Sequence, residues 1–518
     1  MKLKSLNSLL RSGVFLALLL CANSLPAAVT YRELFRPQFH FTPSTNWMND
    51  PNGMVFYDGE YHLFYQFNPF GDKWGHMSWG HAVSKDLVRW EHLPIALYEG
   101  NDVMIFSGSA VVDWKNTSGF GKDGKPPLVA IYTGHYTKKP LQNQHLAYSN
   151  DKGRTWTKYS GNPVLDMGEK DFRDPKVFWH EPTKRWLMTV AWPIERKVRF
   201  YSSPNLKDWT HLSDFGPAGS TNGIWECPDL FPLRIEGKRG VEQWVLIVNV
   251  GSGATAGGSG CQYFVGDFDG KQFTSTRATN EPALWADWGR DFYAAVSWSD
   301  IPKRDGRRIW LGWMSNWEYA NDVPTSPWRS AMSLPRELSL RQTPDDLRLI
   351  QQPVRELEKL RTKHHRLGKS ALTEANVWLK RLNPGSDLLE IAVEFDSVPA
   401  EGELGLRLVT GTSESTVIRY QAAPGRLSVD RTQSGRVDFH PKFSGIHAAP
   451  VRLRDGRLRL HLFLDASSIE VFGADGETVL TDLILRASGR RQLEVFMVPD
   501  HHLPRLRSLD VWELRSAW

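Results

Sequence analysis

A polar turn that ends on an aromatic recurs along the first three hundred residues and restricts the fold more than any other feature. "SKDLVRW" ends at Trp90, "SNDKGRTW" at Trp156 and "SSPNLKDW" at Trp209, and "GDFDGKQF" repeats the pattern with Phe273 in the aromatic place. These positions lie 66, 53 and 64 residues apart. Between them, "GMVFYDGEYHLFYQF", "PLVAIYTGHY" and "RWLMTVAW" read as short strands broken by Gly, Asn, Asp and Pro, and residues 30–340 carry almost no helical periodicity. Several short strands per unit at a period near 60 predict propeller blades, about five of them over about 300 residues.

The texture changes near residue 345. "IQQPVRELEKLR" is charged and spaces Val354, Leu357 and Leu360 as a helix would, so a linker with a short helix is expected over 346–364. Beyond it, "LLEIAVEFD", "LGLRLV", "STVIRYQ" and "RLRLHLFLDASSIEVFG" alternate with turns about every ten residues, as a β-sandwich does. The predicted fold is all-β: residues 29–345 a five-bladed β-propeller, residues 365–518 a C-terminal β-sandwich.

Residues 1–28 read as a signal peptide. Lys2, Lys4 and Arg11 precede the apolar run Gly13 to Ala22, and "SLPAAV" offers small residues for cleavage. The run is too short to span a bilayer. Cys21 is the one place where a lipid could be attached, but Leu20 before it is not the small residue such sites take. The expected mature form is secreted or periplasmic, with no membrane association unless Cys21 is lipidated. Removing 1–28 takes three positive charges from a net +5, and the near-neutral remainder offers no electrostatic attraction for nucleic acid or an anionic surface. Only Cys227 and Cys261 remain, too few for a disulfide framework or a cysteine metal site. The 22 Trp suit aromatic-rich β cores or flat contacts with sugar rings.

Three segments set a carboxylate among aromatics, with Pro directly after the acid or one residue later: "WMNDPNG" with Asp50, "FRDPKVFW" with Asp174 and "GIWECPDLF" with Glu226. Proline biases the residue before it away from helix. Acids at strand starts near a propeller axis would face one funnel, and two carboxylates across a sugar are the equipment of glycoside hydrolysis. By sequence neighbours, Trp225 and Ile224 would desolvate Glu226 and suit it to donate a proton. Asn49 and Asn52 would hold Asp50 ionised, and Arg173 would do the same for Asp174. Each acid has the plainer use of satisfying turn backbone. Cys227 has no evident base and reads as an apolar neighbour tuning Glu226. His76 and His81 in "WGHMSWGH" do not read as a metal pair, and neither metal nor cofactor is expected.

In "NWMNDPNG", "FYQFNP", "WGHMSWGHAVSKDLVRW", "FSGSAVV", "FRDPKV", "WECPDLF", "GGSGCQYFVGDFDG" and "WMSNWEYANDVPTSPWRSAMSLPREL" the chain closely resembles glycoside hydrolase family 32, the invertase, inulinase and levanase group. The likeness covers most of residues 37–500. It implies a five-bladed propeller backed by a β-sandwich and hydrolysis of β-fructofuranosyl bonds with retention of configuration. It makes Asp50 the nucleophile, Glu226 the acid/base and Asp174 the transition-state stabiliser, with substrate contacts from Asn49, Gln66, Trp74, Phe106, Ser107, Arg173 and Trp317. The expected substrate partner is a carbohydrate, fructan or sucrose, and the "WMSNWEYANDVPTSPW" stretch looks more like exo-acting inulinases and levanases than strict invertases. A fructosyltransferase on the same site and a non-catalytic fructan-binding protein are the alternatives.

Overall fold

Each copy of the repeated turn leads into the fourth strand of a four-stranded antiparallel unit. The structure is a computed structural model and describes residues 30–518 except 383, 385, 397, 412, 487, 488 and 499–504. The segment expected to be a signal peptide, with Cys21, lies outside the described residues. Five sheets follow one another, opening with the strands Asn46–Tyr57, Val103–Val112, Arg173–His180, Trp225–Arg234 and Tyr293–Ser297. Trp90, Trp156 and Trp209 immediately precede the fourth strands Glu91–Leu97, Thr157–Lys158 and Thr210–Phe215, and Phe273 begins Phe273–Ser275.

The chemistry of that turn explains why it recurs. A side-chain oxygen accepts from backbone N–H groups two to four residues on: Asp86 from Val88 and Arg89 at 3.2 and 2.9 Å, Asp151 from Thr155 at 2.9 Å, Asn205 from Lys207 and Asp208 at 3.0 Å, and Asp269 from Lys271 and Gln272 at 2.8 and 2.7 Å. The residue after each acceptor turns left-handed: Leu87, Lys152, Leu206 and Gly270 have φ of 61°, 59°, 66° and 91°. Asp and Asn replace the missing strand partners where the backbone reverses.

The five opening strands touch one another in cyclic order, first to second and onward until the fifth meets the first. Trp328–Arg329, from the fifth segment, pairs in parallel with Asn46–Trp47 and joins the end of the ring to its beginning. This is a propeller, and its axis runs between the opening strands.

The second domain is a β-sandwich. One sheet holds Arg361–Leu367, Arg505–Leu514, Leu389–Phe395, Leu458–Leu464, Ser468–Gly473 and Thr478–Leu483; the other holds Ile446–Pro450, Arg426–Gln433, Glu414–Gln421, Glu403–Thr410 and Arg491–Val498. Ile391, Leu406, Ile418, Leu460 and Val471 meet in one buried cluster between them. The linker expected over 346–364 is shorter than that. Leu347–Pro353 pairs with Arg336–Gln342 as the last strand of the fifth sheet, and Arg361–Leu367 already belongs to the sandwich. Only 354–360 lies between, and its helix, Arg355–Leu360, is a 3-10 helix burying Leu357 and Leu360. A spacing of three suits that tighter helix as well as an α-helix, so the periodicity could not separate them. An α-helix that the sequence reading left unassigned runs Leu372–Leu382 and lies on the edge strand Arg491–Val498. There Asn376 donates to the Val495 carbonyl at 2.8 Å and accepts from its N–H at 2.9 Å, covering an open edge.

The domains are joined by a buried polar cluster. Arg336 of the fifth sheet donates to Glu470 at 2.6 Å and to Thr481 at 2.6 Å in the sandwich, and to Asp287 at 2.9 Å. His40, ahead of the first sheet, lies between Asp465 at 2.7 Å and Glu470 at 3.0 Å. Arg431 reaches back from the sandwich to Asp291 at 2.6 Å and the Tyr319 hydroxyl at 3.0 Å. Burial opposes the charge on His40, but Asp465 and Glu470 outweigh it and hold the imidazole up at about 9, from 6.5. A raised histidine contributes its full stability below the unfolded value of 6.5 and loses it as pH rises through 9. The denaturation midpoint of the native chain is therefore expected to fall between pH 6.5 and 9. His40→Gln should cost about 3 kcal/mol at pH 6, because it leaves two buried carboxylates short of a partner. It should also flatten the pH dependence, and an unchanged slope in urea melts across that range would contradict the assignment.

Candidate functional site

Regular β pairing points adjacent residues to opposite faces, so a strand that must aim a chosen acid at the axis has to break step. All five opening strands do so at the same end. Pairing skips between Met48 and Pro51, Ile105 and Gly108, Glu226 and Asp229, and Tyr293 and Val296, and in the third sheet between Thr189 and Ala191, opposite Asp174. Pro51, Pro175 and Pro228 lack the N–H that a ladder needs, which makes a bulge the natural outcome. The backbone is driven into the left-handed region at Asp174, Cys227 and Ala294, with φ of 67°, 44° and 53°. Such conformations cost about 1–3 kcal/mol each at a side-chain-bearing residue.

The three acids meet around Cys227. Its backbone N–H donates to Asp174 Oδ2 at 2.9 Å, and its thiol donates to Asp50 Oδ2 at 3.5 Å. Glu226 is its chain neighbour. Asp50, 9% exposed, also accepts from Ser107 Oγ at 2.7 Å and from Asn49 Nδ2 at 3.0 Å. Arg173 donates through Nε to Glu226 Oε1 at 2.9 Å and through Nη1 to Asp171 at 2.9 Å and Gln142 at 3.1 Å. The Tyr293 hydroxyl donates to Glu226 Oε2. Glu226 is the most open of the three acids, with 18% of its side chain exposed.

Burial sets the electrostatics. It raises the Asp50 pKa against the hydrogen bonds of Ser107 and Asn49, with the charge of Glu226 adding to the rise. It pushes Asp174 up to about 7, although Arg173 pulls the other way, with Glu226 and Asp50 reinforcing the rise. Burial also lifts the Cys227 thiol and the Tyr293 phenol well above their ordinary values, so both keep their protons and act as donors.

Several neighbour-based expectations change here. Arg173 turns its guanidinium to Glu226 and Gln142 and makes no hydrogen bond to its chain neighbour Asp174, which is instead held by a backbone N–H. Asn52 serves the second sheet by accepting the Gly108 N–H at 3.2 Å, leaving Ser107 and Asn49 to Asp50. Trp225 packs into the core between the third and fourth sheets, so the setting of Glu226 is polar, made by Arg173 and Tyr293. Cys227 accordingly adjoins Asp50 and Asp174 with its polar atoms. Asn49 keeps its place beside Asp50 as its chain position suggests, whereas for Asp174 and Glu226 strand alternation sends the expected neighbour away and the fold supplies another residue.

The expected substrate contacts gather at the same end, with different freedom. Asn49 also accepts from Trp47 Nε1 at 2.7 Å, and Gln66 donates to the Ile105 carbonyl at 2.9 Å, so both amides are tied down. Trp74 is 42% exposed and edge-on to the half-buried Phe106 at 6.1 Å. Trp317 is half-buried, stacked near Trp47 at 6.1 Å and tilted against Trp313 at 4.8 Å. His76 sits exposed beside Glu99 at 2.7 Å, whereas His81 is buried against His62 at 3.0 Å. Among the described residues no group of three His, Cys, Asp or Glu is arranged to hold a metal. The sequence reading missed Tyr293 and Gln142. Neither adjoins an acid or a proline; Tyr293 was detectable only as the polar-tipped residue opening the fifth strand.

Comparison with known proteins matches the same frame. Residues 40–353 match the glycosyl hydrolases family 32 N-terminal domain and residues 356–513 the family 32 C-terminal domain. The chain is 51% identical over 511 residues to a levanase of Bacillus subtilis, covering 98% of this chain and 74% of that protein. It is 41% identical over 486 residues to an extracellular exo-inulinase of Aspergillus ficuum, covering 88% and 90%. The crystal structure of an exo-inulinase from Aspergillus awamori superimposes with a TM-score of 0.85 at 35% identity, over 94% of this chain and all of the other. A β-fructofuranosidase from Schwanniomyces occidentalis complexed with fructosyl-erythritol does so with a TM-score of 0.85 at 32% identity, over 95% and 100%. The match runs through both domains and every motif that carries the three acids, and the chain belongs to glycosyl hydrolase family 32.

Proposed function

We propose that the protein is an exported, exo-acting β-fructosidase that releases fructose from terminal β-D-fructofuranosyl units of fructans and from sucrose, with retention of configuration. The observation that carries this reading is the meeting of Asp50 and Asp174 at Cys227, next to Glu226, in a family 32 frame. The names of its relatives, levanase and exo-inulinase, agree with that substrate class, and "extracellular" in one of them agrees with a signal peptide at 1–28. The five sheets are taken as the five blades of the propeller.

Asp50 is the nucleophile. Ser107, Asn49 and the Cys227 thiol fix both of its oxygens, so one can be aimed at the anomeric carbon with little reorganisation. As that bond forms, Glu226 gives a proton to the glycosidic oxygen and the leaving sugar departs. Glu226 then takes a proton from water, which attacks the fructosyl–Asp50 ester and frees fructose and the carboxylate. Tyr293 and Arg173 hold Glu226 at the more open side, where the scissile oxygen and then water must enter. Asp174 and Arg173 bind fructose hydroxyls as positive charge develops on the ring. Asn49, Gln66 and Ser107 line the terminal unit, and Trp74, Phe106 and Trp317 supply apolar faces to the sugars.

Asp50→Asn and Glu226→Gln are each expected to lower fructose release from sucrose and inulin by about 1,000-fold or more. Near-native rates for Asp50→Asn would remove the catalytic assignment. In the native enzyme, NMR of early product should show the β anomer first and free fructose as the sole released fructan fragment; initial α-fructose or dominant oligomers would contradict retention or exo hydrolysis. The raised Asp174 pKa has a further consequence. The folded state holds this proton more tightly than the unfolded chain, so stability falls as pH climbs from 3.8 towards about 7. Asp174→Asn should therefore be inactive yet gain in Tm over the native enzyme as pH increases through that range. A Tm difference that stays flat with pH would show that Asp174 titrates normally.

A further inference from the structure

Gln142 and His135 stand opposite each other on neighbouring strands of the second sheet. Gln142 is buried and committed at both ends of its amide. Its oxygen accepts from Arg173 Nη1 at 3.1 Å and from the Phe172 N–H at 2.9 Å, and its nitrogen donates to His135 Nδ1 at 3.2 Å. A histidine that accepts at Nδ1 is neutral and carries its proton on Nε2. That neutral ring lies flat against Phe106, with centroids 4.4 Å apart and planes 6° from parallel. Phe106 in turn meets the exposed Trp74 edge-on. An unbroken series therefore runs from Glu226 through Arg173, Gln142, His135 and Phe106 to the rim at Trp74.

The two ends of this series face two parts of a substrate. The terminal unit must reach the buried pair Asp50 and Asp174, so the rest of the molecule leaves towards solvent, past half-buried Phe106 and exposed Trp74. We propose that Gln142 and His135 are positioning residues: Gln142 fixes the guanidinium of Arg173 against Glu226, and His135 backs Phe106 as the wall for the sugar unit beyond the scissile bond. The pair thereby sets how the enzyme weighs a glucosyl leaving group against a fructosyl one. This rests on the β-fructosidase reading above.

Removing the acceptor for Arg173 loosens a group beside the chemistry, whereas removing the backing of Phe106 loosens a binding wall, so the two substitutions should separate in kinetics. Full-length Gln142→Leu is expected to lower kcat by about 30-fold with KM for sucrose within about threefold of native. His135→Ala should raise KM for sucrose about tenfold and shift the sucrose-to-inulin ratio of kcat/KM by at least about threefold. His135→Phe keeps the stack without the hydrogen bond and should hold KM within about twofold of native. Tm is read for each variant. The proposal is overturned if His135→Phe is as impaired as His135→Ala, if His135→Ala lowers kcat/KM on both substrates by one common factor, or if Gln142→Leu leaves kcat at the native value. Asp50→Asn in the same assay separates the two levels of inference. If it still releases fructose, the β-fructosidase reading fails; if it is inactive while His135→Ala matches the native enzyme, the positioning role alone fails.

Discussion

Everything at the candidate site hangs from strands that have left regular β pairing at one level. A strand in register shows alternate side chains to opposite faces, and five regular strands around an axis would present whatever parity dictated. The bulges at Asp50, Ser107, Asp174, Cys227 and Ala294 free the sequence from that parity in every sheet, at the end that carries the acids. The left-handed backbone at Asp174 and Cys227 is a standing cost of this arrangement. Each bulged strand keeps its antiparallel partner on both sides of the break or beyond it, so the rest of the ladder holds the strained residues in place. Ser109 Oγ, which donates to the Pro175 carbonyl at 2.9 Å, shows neighbouring sheets sharing the load.

Bringing three carboxylates together inside such a ring raises a second difficulty, since their charges repel and burial discourages ionisation of Asp50 and Asp174. The solution is unequal treatment. Asp50 is given three donors, Asp174 receives one backbone N–H and keeps its proton up to near neutrality, and Glu226 stays partly open beside Arg173 and Tyr293. The same logic is applied at the domain junction, where His40, Arg336 and Arg431 neutralise Asp465, Glu470, Asp287 and Asp291 out of reach of water. The sandwich thus meets the propeller through ionic groups that would be costly to leave unpaired, which gives the pairing of the domains a definite register.

Legibility of the molecule in its sequence followed the range of the underlying force. The repeated turn was readable because its cause is local: an Asp or Asn within four residues of the N–H groups it satisfies, then an aromatic beginning a strand. The all-β character and the change of texture near residue 345 were readable from alternation for the same reason. The linker was shorter than its texture suggested, and its short helix was legible while its 3-10 class was not, because apolar residues three apart satisfy more than one helix. The α-helix at Leu372–Leu382 escaped, since its apolar face makes sense only against the strand it covers.

In three of the five sheets the sequence alone marked where the chain breaks step, through Pro51, Pro175 and Pro228, and it singled out Asp50, Asp174 and Glu226 by placing each beside such a break. Of the groups those acids touch it offered Asn49 for Asp50 and no other. Arg173 adjoins Asp174 in the chain and yet hydrogen-bonds Glu226, 53 residues away; Cys227 adjoins Glu226 and yet donates to Asp50 and Asp174. Side-chain direction in a strand is settled by pairing register, and register is settled only when the ring closes and the strands find their neighbours. Tertiary structure therefore decided the partners of Asp174 and Glu226 and all but Asn49 of those of Asp50, and with them the roles of Tyr293, Gln142 and His135.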